Sequence, residues 1–341
     1  MQAATPDTHT TPDGPAPWQA ELARGYRDPA ALLAALDLPA TGLGILAHAP
    51  FPLRVPRGFV ARMRPGDPRD PLLLQVLPLV AEGRPVPGFV SDPVGDLASA
   101  RTPGLLQKYR GRALLVTTGA CAVHCRYCFR RDYPYGEQSA TAGNLDAALE
   151  AIAADPSLEE VILSGGDPLV LAEGRLEALL GQLDGLPHVQ RIRLHSRVPV
   201  VLPERVDQRL LRLLQGLRKR LAIVIHANHA NEIGPAAAEA IRALATAGPV
   251  LNQSVLLAGI NDSPAAIADL SRALFDAGAL PYYLHQLDRV AGASHFAVED
   301  AAAVTLLAAV TRILPGYLVP KLVREVPGEP AKSALAPFGA T

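Results

Sequence analysis

The chain reads as an α/β protein: a partial barrel of parallel strands preceded by a mostly helical accessory region. Three observations carry that expectation. Short β-rich runs begin near Ala113 (ALLVTT), Val161 (VILSGG), Gln190 (QRIRLHS), Leu221 (LAIVIHAN), Val250 (VLNQSVLL) and Leu280 (LPYYLHQ). After the first interval they recur about every thirty residues, the length that a right-handed strand-helix-strand crossover takes. Ala-rich and Leu-rich segments of helical period fill the gaps, at Leu145 to Ala154, Gly174 to Leu183, Pro235 to Ala247 and Ser263 to Ala277. From Ala113 to a last strand-like YLVPKLVRE at Tyr317 to Glu325 there are about 210 residues, whereas a closed eight-unit TIM barrel takes about 250. The expectation is a (βα)6 TIM-type partial barrel, whose chemistry gathers at the C-terminal strand ends.

Residues 1–17, rich in Pro, Thr, Ala and Asp without a period, read as a loose N-terminal arm. Residues 18–107 read as the accessory region, with helical patterns at Pro29 to Leu38 and Pro71 to Val80 broken by Pro and Gly. The barrel is assigned to residues 108–325 and a C-terminal tail to 326–341. A chain of 341 residues, 49% hydrophobic and 19% charged, buries one large core with accessory structure. Its net charge of -1 and the lack of any basic run beyond Arg218-Lys219-Arg220 give no footprint for nucleic acid. The N-terminus has no basic start followed by an apolar stretch, and the apolar runs are too short to span a bilayer. The sequence therefore points to the cytoplasm, off the membrane.

Cys121, Cys125 and Cys128 are the three cysteines of the chain, in a CxxxCxxC pattern directly after the first barrel strand. Three clustered cysteines make no disulfide framework, and in a reducing compartment they mean metal or redox chemistry. A four-iron cubane on three thiolates keeps one iron open to an outside ligand. A zinc site completed by His124 or a distant histidine, or three structural thiols, is the competing reading. Ser164-Gly165-Gly166-Asp167-Pro168, at the end of the second strand, permits close backbone approach and is equally the composition of an ordinary turn. Only Lys108, Lys219, Lys321 and Lys332 are lysines; the other basic residues are arginine. Arginine cannot form a Schiff base, so each retained amine is a candidate.

With the aromatic Tyr127 before the last cysteine, CxxxCxxC resembles the signature of the radical S-adenosylmethionine superfamily. There the open iron binds S-adenosyl-L-methionine, whose reductive cleavage gives a 5'-deoxyadenosyl radical. SGGDP is similar to the glycine-rich segment that lies along the methionine end of that cofactor. From about Lys108 to Lys332 the chain resembles the lysine 2,3-aminomutase family, through QKYRGRALLVTTGACAVHCRYCFRR, VILSGGDPL, HSRVPV, HANHANEI, NQSVLLAGIND and PYYLHQLD.

The resemblance implies an isomerase that turns L-α-lysine into β-lysine by 1,2-amino migration, with a [4Fe-4S] cluster on the three cysteines. It places S-adenosyl-L-methionine beside Ser164, Gly165, Gly166 and Asp167, with Gln253 and His226, and Asn252, Ser254 and Asn228 near the same mouth. It implies pyridoxal 5'-phosphate on Lys332, in GEPAKS, with Pro327 to Pro330 letting that lysine swing aside. Lys108, Tyr109 and Arg112 match the phosphate site. The family usually has arginine at Lys108, so a bidentate contact becomes a point charge here. Arg130 matches the arginine that holds the substrate carboxylate. Asp288 and Glu325 match the two acids that meet the distal ammonium, with glutamate in place of the usual aspartate. A reductant such as flavodoxin or ferredoxin is implied as well. The tail ends nine residues after Lys332 without further cysteines, which is similar to short bacterial members that supply β-lysine for modification of elongation factor P by its lysyl ligase. A glutamate 2,3-aminomutase and a zinc-binding protein without activity are the alternatives.

Overall fold

The computed structural model describes residues 16–46, 49–140 and 143–335. Residues 1–15 of the expected arm and 336–341 of the expected tail lie outside the described residues. One ten-stranded sheet runs in chain order: β1 (Ala100–Thr102), β2 (Leu105–Tyr109), β3 (Arg112–Val116), β4 (Glu160–Ser164), β5 (Arg191–Ser196), β6 (Arg220–Ile225), β7 (Val250–Val255), β8 (Ala279–His285), β9 (Lys321–Arg324) and β10 (Ser333–Ala334). Strands β3 to β9 are parallel, whereas β1, β2 and β3 form an antiparallel meander and β10 folds back on β9.

The expected strand-helix units are all present. Crossover helices Leu145–Ala153, Glu173–Gly185, Gln208–Gln215, Pro235–Leu244, Pro264–Asp276 and Asp300–Thr311 connect the parallel strands. Their starts have local causes. Asp207 caps one helix by accepting from Leu210 N at 2.8 Å, and Ser263 caps another by accepting from Ala266 N at 3.2 Å. Pro235 and Pro264 open their helices, where a missing N–H costs nothing. Strand β5 shows how the barrel makes room for chemistry. Ile192 and Leu194 are buried in the apolar cluster shared with the helices, while the alternate residues Arg193 and His195 line a central cavity.

The structure departs from the sequence-based expectation in three places. Helix in the accessory region is confined to Pro17–Ala23, Pro29–Ala34 and Arg57–Val60 plus short 3-10 turns, and residues 71–77 form turns, because prolines interrupt the ladder. The sheet begins at Ala100, before the expected boundary at 107, since RTPGLLQKYRGRALLV folds into two hairpins that turn at Pro103-Gly104 and Arg110-Gly111. Lys332 directly precedes β10, which pairs with β9 through Ser333 and Arg324, so the described part of the tail continues the sheet. No helix among the described residues is long and apolar enough to cross a membrane.

The accessory region shares its core with the barrel: Leu32, Val55, Phe59 and Leu72 are buried in one cluster with Leu163, Leu194 and Leu210. It also grips the loop that follows β3. The fully buried Arg126 donates from Nε and Nη2 to Glu82 at 2.8 and 2.5 Å and from Nη1 to the Phe51 carbonyl at 2.8 Å. Arg131 donates to the same carboxylate at 2.7 Å. Burial pushes the Glu82 carboxyl up, but the two guanidinium groups outweigh it and hold the group below the usual carboxylate range. Glu82→Ala would strand two buried cations at a cost of about 3–5 kcal/mol. Thermal unfolding should show the midpoint fall by roughly 4–7 °C; an unchanged midpoint would mean that the clamp adds nothing.

Candidate active site

The loop after β3 sets Cys121, Cys125 and Cys128 on the wall of a cavity of about 390 Å³ at the C-terminal ends of the barrel strands. Thr117 continues the strand pairing, with N and Oγ1 both donating to the Ser164 carbonyl at 2.9 Å. Gly165 and Gly166 press against this loop. A Cβ on Gly166 would lie 2.1 Å from the Ala120 carbonyl oxygen, and one on Gly165, at φ +125°, 2.7 Å from that of Thr118. The close approach expected of these glycines is thus made to the cysteine loop's own backbone. Asp167 is spent on structure too: it accepts from Ser196 Oγ at 2.7 Å, Leu169 N at 3.0 Å, Arg197 N at 2.7 Å and Val198 N at 3.1 Å, tying the end of β4 to that of β5.

Burial pushes the Cys121 thiol well above its usual range, with Cys128, Asp167 and Cys125 adding to it. Burial, then Cys125, pushes Cys128 up to about 11. Such thiols ionise readily only against a positive charge like that of bound metal. Among the described residues no three His, Cys, Asp or Glu side chains converge as a single ion requires; the thiolates of a cubane bind different irons and stand farther apart. His124, the ligand of the zinc reading, stacks on Phe51 at 4.7 Å and its Nδ1 meets the Pro52 carbonyl at 2.8 Å. The donor set fits a three-thiolate cluster.

Across the cavity, Lys332 Nζ pairs with Glu325 and lies 5.9 Å from the centre of the Tyr283 ring. Glu325 also meets Lys108 at 3.2 Å, Lys108 meets Asp96 at 2.7 Å, and Asp96 accepts from Arg130 Nε at 2.6 Å. Charges alternate along this chain, from the half-buried Lys332, Glu325 and Lys108 to the buried Asp96 and Arg130. Burial pushes Glu325 up, but Lys332 and Lys108 outweigh it and bring the carboxyl down to about 2. Asp288 has weaker compensation: burial pushes it up to about 7, against a partial pull from Lys332. The Arg112 guanidinium lies 4.6 Å over the Tyr109 ring. His226 Nε2 meets Tyr127 OH at 2.8 Å, and burial, then Arg197, brings that imidazole down to about 3. His195 and His285 also line the cavity, each with a buried Nε2 that lacks a partner among the described residues. Burial and the nearby cations keep both neutral, His285 at about 3. An amine beside an aromatic ring and two open imidazole nitrogens fit a polar aromatic cofactor.

Residues 115–270 match the Radical SAM superfamily. Among solved structures, a radical SAM methyltransferase from Sphaerobacter thermophilus aligns at 21% identity over 64% of this chain and 68% of that one, with a TM-score of 0.44, too loose to bear on the chemistry. The chain is 47% identical to the L-lysine 2,3-aminomutase of Escherichia coli (strain K12), over 93% of this chain and 94% of that one. It is 44% identical to the protein of the same name from Haemophilus influenzae, over 94% and 95%. The chain belongs to the lysine 2,3-aminomutase family. It is a radical SAM enzyme of the isomerase class.

For a member of this family the cavity is well populated. Most of the candidate residues from the sequence line it: the three cysteines, Lys108, Tyr109, Arg112, Arg130, Ser164 to Asp167, His226, Gln253, Asp288, Glu325 and Lys332. Asn252, Ser254 and Asn228 do not. Alternation along β7 turns Gln253 to the cavity and buries Asn252 and Ser254. Asn252 bonds Ala227 N and O at 2.9 and 3.0 Å, Ser254 bonds the Ala227 carbonyl at 2.8 Å, and Asn228 accepts from Val255 N at 2.8 Å. Sequence reasoning missed Asp96, Arg193, His195, Arg197 and His285. For His195 and Arg193 the signal was polar alternation within a strand; Asp96, in a turn-rich loop, gave none. Gly166→Ala should displace the cysteine loop, so iron retained after anaerobic reconstitution should drop to a small fraction of wild type. Wild-type iron content in that variant would show that the close contact is dispensable.

Proposed function

We propose that the chain converts L-lysine to β-lysine by moving the amino nitrogen from C2 to C3. One observation carries this reading: Cys121, Cys125 and Cys128 share a single cavity with Lys332. The cysteines would hold a [4Fe-4S] cluster, Gly165, Gly166, Gln253 and His226 would flank S-adenosyl-L-methionine, and Lys332 would carry pyridoxal 5'-phosphate. Lys108, Tyr109 and Arg112 would serve its phosphate. Bound there, the cofactors supply a hydrogen-abstracting radical and a ring that bears the migrating nitrogen.

The residues of the chain contribute placement. Arg130 is oriented by Asp96 and reaches Ser164 Oγ at 3.3 Å, and its guanidinium suits the substrate carboxylate. Asp288 and Glu325 suit the distal ammonium. Since Glu325 is paired with Lys332 and Lys108, an incoming ammonium takes over a carboxylate that a lysine held before. The same two acids disfavour glutamate, whose second carboxylate would face like charge. Leu106, Val201 and Val255 complete an apolar lining that keeps water from a reactive radical. We place the chain in the cytoplasm, where thiols stay reduced, with a flavodoxin or ferredoxin as electron donor and no nucleic-acid partner.

Anaerobically reconstituted protein should turn over lysine, and not glutamate, when S-adenosylmethionine, pyridoxal phosphate and a reductant are all present. Lys332→Ala should lose the cofactor adduct fixed by borohydride; an adduct that survives moves the attachment to another lysine. Asp288 is mostly neutral below pH 7 and ionised above it, so the KM for lysine should fall between pH 6 and pH 8. Asp288→Asn should flatten that dependence and raise KM about 10- to 100-fold at pH 8, and a wild-type KM indifferent to pH would take Asp288 out of the ammonium site. The product, we propose further, serves elongation factor P through its lysyl ligase. Mass spectrometry of that factor from cells lacking this chain should then show no β-lysyl modification.

A further inference from the structure

Beneath the cysteine loop lies a buried polar cluster that substrate placement does not use. Arg197 is its centre. Nη1 donates to Cys125 Sγ at 2.6 Å and to Tyr127 OH at 2.5 Å, while Nη2 donates to Gln75 Oε1 at 2.7 Å and Glu232 Oε2 at 2.9 Å. Asp167 accepts from the Arg197 backbone N at 2.7 Å, so the residue is fixed at both ends. Glu232 is fully buried, and its other oxygen accepts from Gln75 Nε2 at 3.0 Å, Asn228 N at 2.8 Å and His229 N at 3.1 Å. Of the three thiols, only Cys125 accepts from a guanidinium among the described residues.

We propose that Arg197 is a positioning residue that sets the reduction potential of the cluster through the middle cysteine, with Glu232 opposing it. This rests on the cluster reading above. Reduction brings one electron from the external donor onto the cluster and its thiolates, with no bond made or broken. A cation and an N–H donor at Cys125 Sγ favour the reduced, more negative state and so raise the potential. In a site shut off from water that influence is strong, and the Glu232 carboxylate behind the guanidinium offsets part of it. The potential matters because cleavage of S-adenosylmethionine begins from the reduced cluster.

The test uses the full chain, reconstituted anaerobically without substrate, with iron and sulfide content measured alongside the midpoint potential and the electron paramagnetic resonance of the reduced cluster. Arg197→Gln should lower the midpoint. Glu232→Gln, which keeps the acceptor for Asn228 N and loses the bond to Arg197, should raise it. Two buried substitutions that merely loosened the fold would not move the potential in opposite directions. Midpoints equal to wild type at full iron content, or shifts of the same sign, overturn the proposal. If Arg197→Gln fails to hold iron, Glu232→Gln decides alone: a rise supports the assignment and its absence overturns it. A wild-type protein that takes up no iron-sulfur cluster would instead refute the reading of the three cysteines.

Discussion

Where the sheet stays open, between β1 to β3 on one side and β9 and β10 on the other, Lys108 and Glu325 meet at 3.2 Å, and no backbone pairing joins these strands among the described residues. Side-chain charge closes the gap instead. The sequence Lys332, Glu325, Lys108, Asp96, Arg130 alternates cation and anion, so each charge has an opposite neighbour at hydrogen-bond range. Taking any of these groups out of water alone would cost several kcal/mol. Pairing recovers part of that cost, and it also holds the C-terminal lysine against the face that carries the cysteines. Two segments far apart in sequence thereby share one cavity.

The cysteine loop depends on a second set of constraints, one from the accessory region and two from the ends of neighbouring barrel strands. Glu82 and the Phe51 carbonyl grip Arg126 from the accessory region, Gly165 and Gly166 let β4 press against the loop backbone, and Arg197 reaches Cys125 from the end of β5. Burial raises the Cys121 and Cys128 thiols, and three thiolates side by side would repel one another without bound metal; the surrounding guanidinium groups lessen that repulsion. The loop is therefore held from three directions before any cofactor arrives. This restricts the freedom lost on binding and keeps the geometry reproducible.

Local pattern made much of this legible. The thirty-residue spacing of strands became parallel crossovers, because helix and strand lengths are set by short-range geometry. CxxxCxxC and the glycine pair became one loop contact, since both sit at adjacent strand ends. Departures arose where short-range signals competed. The two tight turns at Gly104 and Gly111 carried the sheet back to Ala100, and prolines left the accessory region with little helix. Asn252 and Ser254 looked like site residues beside Gln253, and alternation along β7 sent them to the other face.

Periodicity and motif spacing by themselves determined the barrel and its cysteine loop, and the family resemblance singled out Lys332 among the four lysines. Tertiary structure alone decided that Asp96 orients Arg130, that Arg197 touches Cys125, that His195 and His285 open onto the cavity, and that Glu325 stands between two lysines. The reason is physical. Spacing along a chain records geometry over a few residues, whereas the pairing of buried charges far apart in sequence exists only after the sheet has curled and water has been excluded between its edges.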